Sequence, residues 1–213
     1  KGKDFPLNIE EELTGRQSDS AALKGADAAF ALRTQLIRQI AAQVFGNLAG
    51  IHQWNVIHRD VKGSNLILAE KDRRFKLIDF GAAFDLVSKT NYDKDLQVFD
   101  PLYCPPEAPP DNGGLQLQAK GKFDVYCAGL LLVQMCFPAY RDVGIKRFQM
   151  ALAKQDYDLR AWREEAEGFK GFEDGFRILD QSGGFKLLEG CLQYDPKDRI
   201  SSSGAASAAF CRL

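Results

Sequence analysis

The sequence predicts a mainly α chain of α+β class carrying one small β-hairpin, on three observations. Leu36, Ile37, Ile40, Val44, Leu48 and Ile51 recur at three- and four-residue steps, the spacing of a helix with one buried face. Residues 123–135 are apolar nearly all round, the pattern of a helix enclosed in the middle of a domain. Between them, residues 65–69 and 75–78 are short runs of strand-forming character on either side of a charged turn, which reads as a hairpin.

In chain order, Pro6 opposes regular helix near the start, and Asn8 is placed to cap a short helix from Ile9. Residues 14–25, rich in Gly, Ser, Asp and Lys, read as a surface loop. The long helix starts at Ala26 and ends near Gln53. After the hairpin comes a polar segment, 82–106, holding Ser88, Thr90 and Tyr92, and then a loop at Asp111-Asn112-Gly113-Gly114. Pro138 ends the enclosed helix, because its ring cannot continue one. Further helices are expected over 145–154, 159–167 and 185–192, punctuated by Gly168, Gly171, Gly175 and the Gly183-Gly184 pair. Ser201 is placed to cap a last helix running through Phe210. No internal repeat or low-complexity tract divides the 213 residues, so one domain, 1–213, is expected.

Composition excludes several classes. A formal net charge of −1 gives no electrostatic case for nucleic-acid binding. No run approaches the roughly 20 apolar residues that cross a bilayer; the longest, 128–137, is interrupted by Gln134. The five cysteines lack a metal-ligand or Cys-x-x-Cys spacing and read as isolated reduced thiols. Of the two histidines, His52 reads as an ordinary surface or helix-end residue, and neither is joined by a second motif of a nucleophilic site.

Residues 57–81 carry the chemistry. They read Ile57-His58-Arg59-Asp60-Val61-Lys62-Gly63-Ser64-Asn65, then the hairpin, then Asp79-Phe80-Gly81. His-Arg-Asp with a lysine two residues on and an asparagine three beyond, followed by Asp-Phe-Gly, resembles the catalytic loop and metal-binding segment of a eukaryotic-type protein kinase. Phosphoryl transfer asks a protein for positioning and charge neutralisation more than for covalent chemistry. The resemblance implies the C-terminal lobe of the protein kinase fold, with ATP and Mg²⁺ as cofactors. Asp60 would accept the proton of the attacking hydroxyl and Lys62 would steady the γ-phosphate. Asn65 and Asp79 would hold the metal, and Lys62, Ser64, Asn65, Ile67, Ile78 and Asp79 would line the nucleotide. His58 would be architectural. The lysine after His-Arg-Asp marks serine/threonine specificity.

The same resemblance makes residues 82–106 an activation segment, with Ser88, Thr90 or Tyr92 able to pair with Arg59 if phosphorylated. Pro105-Pro106-Glu107 stands in place of Ala-Pro-Glu, and Glu107 is expected to pair with Arg199. Asp124 is expected to accept backbone N–H groups of the His-Arg-Asp turn. One departure is Asp100, seven residues before Glu107, where serine/threonine kinases place a threonine. A carboxylate there is expected to position Lys62, with repulsion of Asp60 as the competing effect. A Gly-rich loop, strand lysine and helix glutamate do not precede His58 in recognisable form. The chain therefore reads as a lobe that lacks its N-terminal partner and is inactive alone.

Several stretches are further similar to the chloroplast state-transition kinases: 5–11, 56–65, 100–103, 157–163 and 175–184. That resemblance implies a kinase on the stromal side of the thylakoid membrane. Its protein substrates would be light-harvesting complex II or photosystem II subunits, and the cytochrome b6f complex a partner. The alternative is a pseudokinase or docking scaffold, which the intact Asp60, Lys62, Asn65 and Asp79 oppose.

Overall fold

The computed structural model describes residues 26–90, 99–108 and 121–213. The helix expected near Ile9, the loop 14–25, Tyr92 and the 111–114 turn lie outside them.

Helix α1, Ala26–His52, buries the stripe that the periodicity marked: Ile37, Ile40, Val44 and Leu48 are all closed to solvent. Two short strands, β2 and β3, form the hairpin. β2 is Leu66–Ala69 and β3 is Arg74–Leu77, antiparallel, with Leu66 opposite Leu77 and Ala69 opposite Arg74. A second two-residue ladder, too short to leave a pattern in the sequence, pairs β1, Val56–Ile57, with β4, Phe84–Asp85. This ladder ties the chain just before the His-Arg-Asp turn to the chain just after Asp-Phe-Gly.

Helix α2, Lys122–Cys136, is buried at every position from Phe123 onward and forms the axis of the domain. It ends two residues before Pro138, which opens a single 3₁₀ turn, Pro138–Tyr140. Around the far end of α2 stand α3, Gly144–Lys154, and α4, Leu159–Ala166, the latter capped by Asp158, whose carboxylate accepts the N–H groups of Arg160 and Ala161. Phe137 packs edge to face on Trp162 and Phe176, and Phe148 on Trp162, with ring centroids 5.0–5.6 Å apart.

Two boundaries differ from the sequence reading. Helix α5, Glu173–Asp180, forms across Gly175, where the glycines read as punctuation. Gly175 sits inside it because a Cβ there would come within 2.4 Å of the Phe137 ring, so close packing and not a turn demands glycine. After α6, Gly184–Cys191, the last α-helix, α7, stops at Ser202–Ala206. Ser201 caps it as expected, its Oγ accepting the Gly204 N–H at 3.1 Å. The chain then leaves the helix because Ala208 adopts extended φ/ψ, and only a 3₁₀ turn, Ala209–Cys211, follows.

All five cysteines are free and buried. Burial pushes the Cys104 and Cys136 thiols up to about 12 and Cys211 up to about 11. Because the thiolate is the nucleophile, the folded protein at pH 8 is expected to resist iodoacetamide, and all five are expected to react in 6 M guanidinium. Mass spectrometry before and after unfolding checks this. Rapid labelling of the native protein would contradict it.

Candidate active site

The site is built where α1, the hairpin and the start of α2 meet. Its backbone is strained at two places: Arg59 has φ 64° and Asp79 φ 64°, both in the left-handed region that non-glycine residues rarely adopt. Each residue adjoins a group that the sequence singled out.

Asp124, wholly buried near the start of α2, holds the first of these turns. Its Oδ2 accepts the His58 N–H at 2.7 Å and its Oδ1 the Arg59 N–H at 2.8 Å. A third partner is His52, whose Nε2 lies 2.8 Å from Asp124 Oδ2 while its Nδ1 lies 2.8 Å from Ser202 Oγ. With Asp124 acting only as acceptor, Nε2–H donates and Nδ1 accepts the serine hydroxyl. His52, the last residue of α1 and with a side chain only 10% exposed, thus pins α1 to α2 and α7; it is the helix-end residue expected but not a surface one. A Cβ at Gly121, which has φ +69°, would strike its ring at 2.3 Å. The spacing of one histidine gave no hint of this, because its partners lie 72 and 150 residues away.

His58 has no ring nitrogen to spare for proton chemistry. Nε2 lies 3.1 Å from the Ile78 carbonyl, and Nδ1 accepts the Asp60 N–H at 3.3 Å. The ring also packs on Phe80, with centroids 4.8 Å apart. It therefore clamps the end of the hairpin to Asp60.

Asp60 is surrounded by donors. Asn65 Nδ2 reaches its Oδ2 at 2.6 Å and its backbone oxygen at 2.9 Å. Its Oδ1, closed to solvent, accepts no aligned hydrogen bond and is balanced by Lys62 Nζ 2.9 Å away. That ammonium also lies 3.2 Å from Asp100 Oδ2. Burial works against the charge on Lys62, but the bonds to Asp60 and Asp100 outweigh it and its pKa is raised. The hairpin brings Asp79 towards Asn65, since the Ile78 N–H donates to the Asn65 carbonyl at 2.9 Å. Asp79 itself turns back to accept the Gly81 N–H at 3.1 Å. Ser64 is exposed, and Ile67 and Ile78 present apolar side chains 43% and 36% exposed.

The activation-segment residues are only partly gathered in. Ser88 Oγ bonds to Asp85 and lies 2.8 Å from Thr90 Oγ1. The Arg59 guanidinium is buried, donates through Nε to the Ala82 carbonyl and lies over the Phe84 ring. Desolvation lowers its pKa, with Asp124 acting in the opposite direction. Glu107 and Arg199 form a bidentate pair, at 2.7 and 2.8 Å.

The donor set suits a small hard cation. Asn65 spends its amide N–H groups on Asp60, leaving its carbonyl oxygen, and Asp79 supplies a carboxylate. Among the described residues no group of three or more His, Cys, Asp or Glu could hold an ion unaided. One amide and one carboxylate would suit a divalent cation whose remaining ligands are phosphate oxygens and water.

Comparison with known proteins agrees with this geometry. The sequence profile of the family described as Protein kinase domain matches residues 11–211. The chloroplastic serine/threonine-protein kinase STN7 of Arabidopsis thaliana is 35% identical over 232 residues, covering 99% of this chain and 40% of that protein. The chloroplastic STN8 of the same plant is 37% identical, over 77% of this chain and 35% of its own length. Among solved structures, an Stt7 homolog from Micromonas algae, soaked with ATP, superposes with a TM-score of 0.72 at 31% identity, over 91% of this chain and 61% of that one. The chain thus spans well under half the length of these curated relatives. It belongs to the protein kinase family, as a relative of the chloroplastic serine/threonine kinases STN7 and STN8.

Proposed function

We propose that the complete protein transfers the γ-phosphate of ATP to serine or threonine hydroxyls of proteins, and that this chain is the lobe carrying the catalytic loop. The observation that supports it most is the convergence of Asn65 and Lys62 on Asp60, with Asp79 brought alongside by the hairpin. Asp60 would take the acceptor proton at a carboxylate oxygen whose orientation Asn65 fixes. Lys62 holds positive charge beside it. Asn65 and Asp79 would hold Mg²⁺, which when bound neutralises charge on the phosphate oxygens. Ser64, Ile67 and Ile78 would contact the nucleotide. The exposed Ile67, Ile78 and Phe80 are consistent with a second lobe closing over the hairpin.

By likeness to STN7 and STN8, we place the complete protein in the chloroplast, on the stromal side of the thylakoid membrane. Light-harvesting complex II or photosystem II subunits would be substrates and the cytochrome b6f complex a partner. No described helix is long and apolar enough to cross a membrane. Radiolabelled Mg-ATP supplied to the complete protein with thylakoid proteins tests this reading. Labelling lost in Asp60→Asn supports it, and equal labelling in both proteins removes it.

Asp100 is proposed to position Lys62 by charge where related kinases use a hydroxyl. Asp100→Thr in the complete protein is expected to lower kcat about tenfold, the worth of one charge-assisted hydrogen bond. Full activity in that variant would show that the carboxylate is dispensable.

A further inference from the structure

We infer that Gln149 and Gln134 are positioning residues for the acceptor protein, acting through the loop 100–104; this rests on the kinase reading above and goes beyond it. Lys62 Nζ lies 2.9 Å from Asp60 and 3.2 Å from Asp100, so the loop begins one lysine side chain from the group that takes the acceptor proton. A polypeptide delivering its hydroxyl to Asp60 must pass over the residues that follow Asp100. Their height above the catalytic loop therefore decides whether the hydroxyl reaches it.

That height is set from two other directions. Gln149, on the inner side of α3, donates through Nε2 to the Leu102 carbonyl at 2.6 Å. Gln134 interrupts the apolar run of α2 and is only 7% exposed. An amide enclosed there is costly unless its hydrogen bonds are made. Its Oε1 accepts from the Tyr103 hydroxyl at 3.3 Å, and its Nε2 lies 3.2 Å from that hydroxyl and 3.3 Å from the Tyr140 carbonyl. The loop also braces itself, with Asp100 Oδ1 accepting the Leu102 N–H at 3.0 Å and the Asp100 carbonyl accepting the Tyr103 N–H at 3.0 Å. An apolar residue at 134 would make none of these bonds, so the amide's distinctive contribution is to where Tyr103 stands. None of these contacts involves Asn65, Ile67, Ile78 or Asp79, and the loop meets the nucleotide side only where Asp100 holds Lys62. The two glutamines, bonded to Leu102 and Tyr103 beyond Asp100, thus act first on the acceptor.

The test uses the complete protein, Mg-ATP and a positional serine/threonine peptide library, from which the best acceptor is taken for kinetics. Gln149→Leu, similar in size but without the donor, is expected to raise the acceptor KM about fivefold, the value of one neutral hydrogen bond. KM for Mg-ATP and the thermal midpoint should stay near those of the unmodified protein. Gln149→Lys, which keeps a donor on a long side chain, should recover most of the loss. Gln134→Leu should show the same split between acceptor and nucleotide. Acceptor KM unchanged in both leucine variants, or a parallel rise in KM for Mg-ATP, overturns the inference while an active unmodified protein leaves the kinase reading standing. An unmodified protein that phosphorylates no member of the library overturns that reading and this inference with it.

Discussion

Arg199→Ala is expected to lower the unfolding free energy by about 3–5 kcal/mol, the cost of breaking a buried ion pair from one side. All five N–H donors of this guanidinium are used. Nη1 bonds to Glu107 and the Lys122 carbonyl, Nη2 to Glu107 and the Tyr194 carbonyl, and Nε to the Gln193 carbonyl. The side chain is 0% exposed against 13% for Glu107, and its plane lies over the Tyr126 ring with the centroid 4.9 Å away. Removing it would strand a carboxylate and three carbonyls together. Domains hold only about 5–15 kcal/mol of stability, so a loss of this size should be visible as a large drop in the urea midpoint. Arg199→Lys is expected to rescue little, because an ammonium offers three donors from one point and cannot reproduce the fork. Glu107→Gln should be milder, since an amide oxygen can still accept one of the two bonds. A midpoint for Arg199→Ala equal to that of the unmodified domain would refute this account.

Asp124→Ala is the second change expected to act strongly, with about 3–5 kcal/mol lost and phosphoryl transfer by the complete protein falling with it. Three donors, the N–H groups of His58 and Arg59 and the His52 ring, would be left without their acceptor. The effect on chemistry follows from backbone strain. Arg59 sits at φ 64°, a conformation costing on the order of 1–3 kcal/mol for such a residue, and it persists because Asp124 holds its N–H and that of His58 before it. Released, the turn relaxes and Asp60 moves away from Asn65 and Lys62. Asp124→Asn is expected to lose activity too, because an amide N–H must then confront one of the donors. Circular dichroism melts combined with kcat separate the two consequences. A variant as stable and as active as the original would show that the turn needs no clamp.

The groups at the centre of the site were legible in the chain because they lie close together in sequence. Asp60, Lys62 and Asn65 share one loop, and the hairpin that carries Asp79 to them is a local pattern of two strand-forming runs and a charged turn. The long helix and the enclosed helix were equally legible, since periodicity and uniform apolarity are written into consecutive residues. The ion pair of Glu107 and Arg199 was reached through resemblance, not through any spacing.

Other features depended on which distant residues meet. His52 carries no signal by itself, and its place as a pin exists only because Asp124 and Ser202 arrive from other helices. Gly175 looks like a breaker until Phe137 is seen against its Cα, and Gln134 looks like a blemish until Tyr103 and Tyr140 are seen beside it. The sequence by itself therefore determined the family, the main helices, the hairpin and the chemistry-bearing loop. Only the tertiary structure decided the further polar contacts, through His52, Gln134 and Gln149, that hold that loop and its neighbour 100–104 in place beyond the Asp124 and Asp100 contacts the resemblance implied. Sequence patterns record local periodicity and motif, whereas a buried hydrogen bond is a property of two groups joined in space.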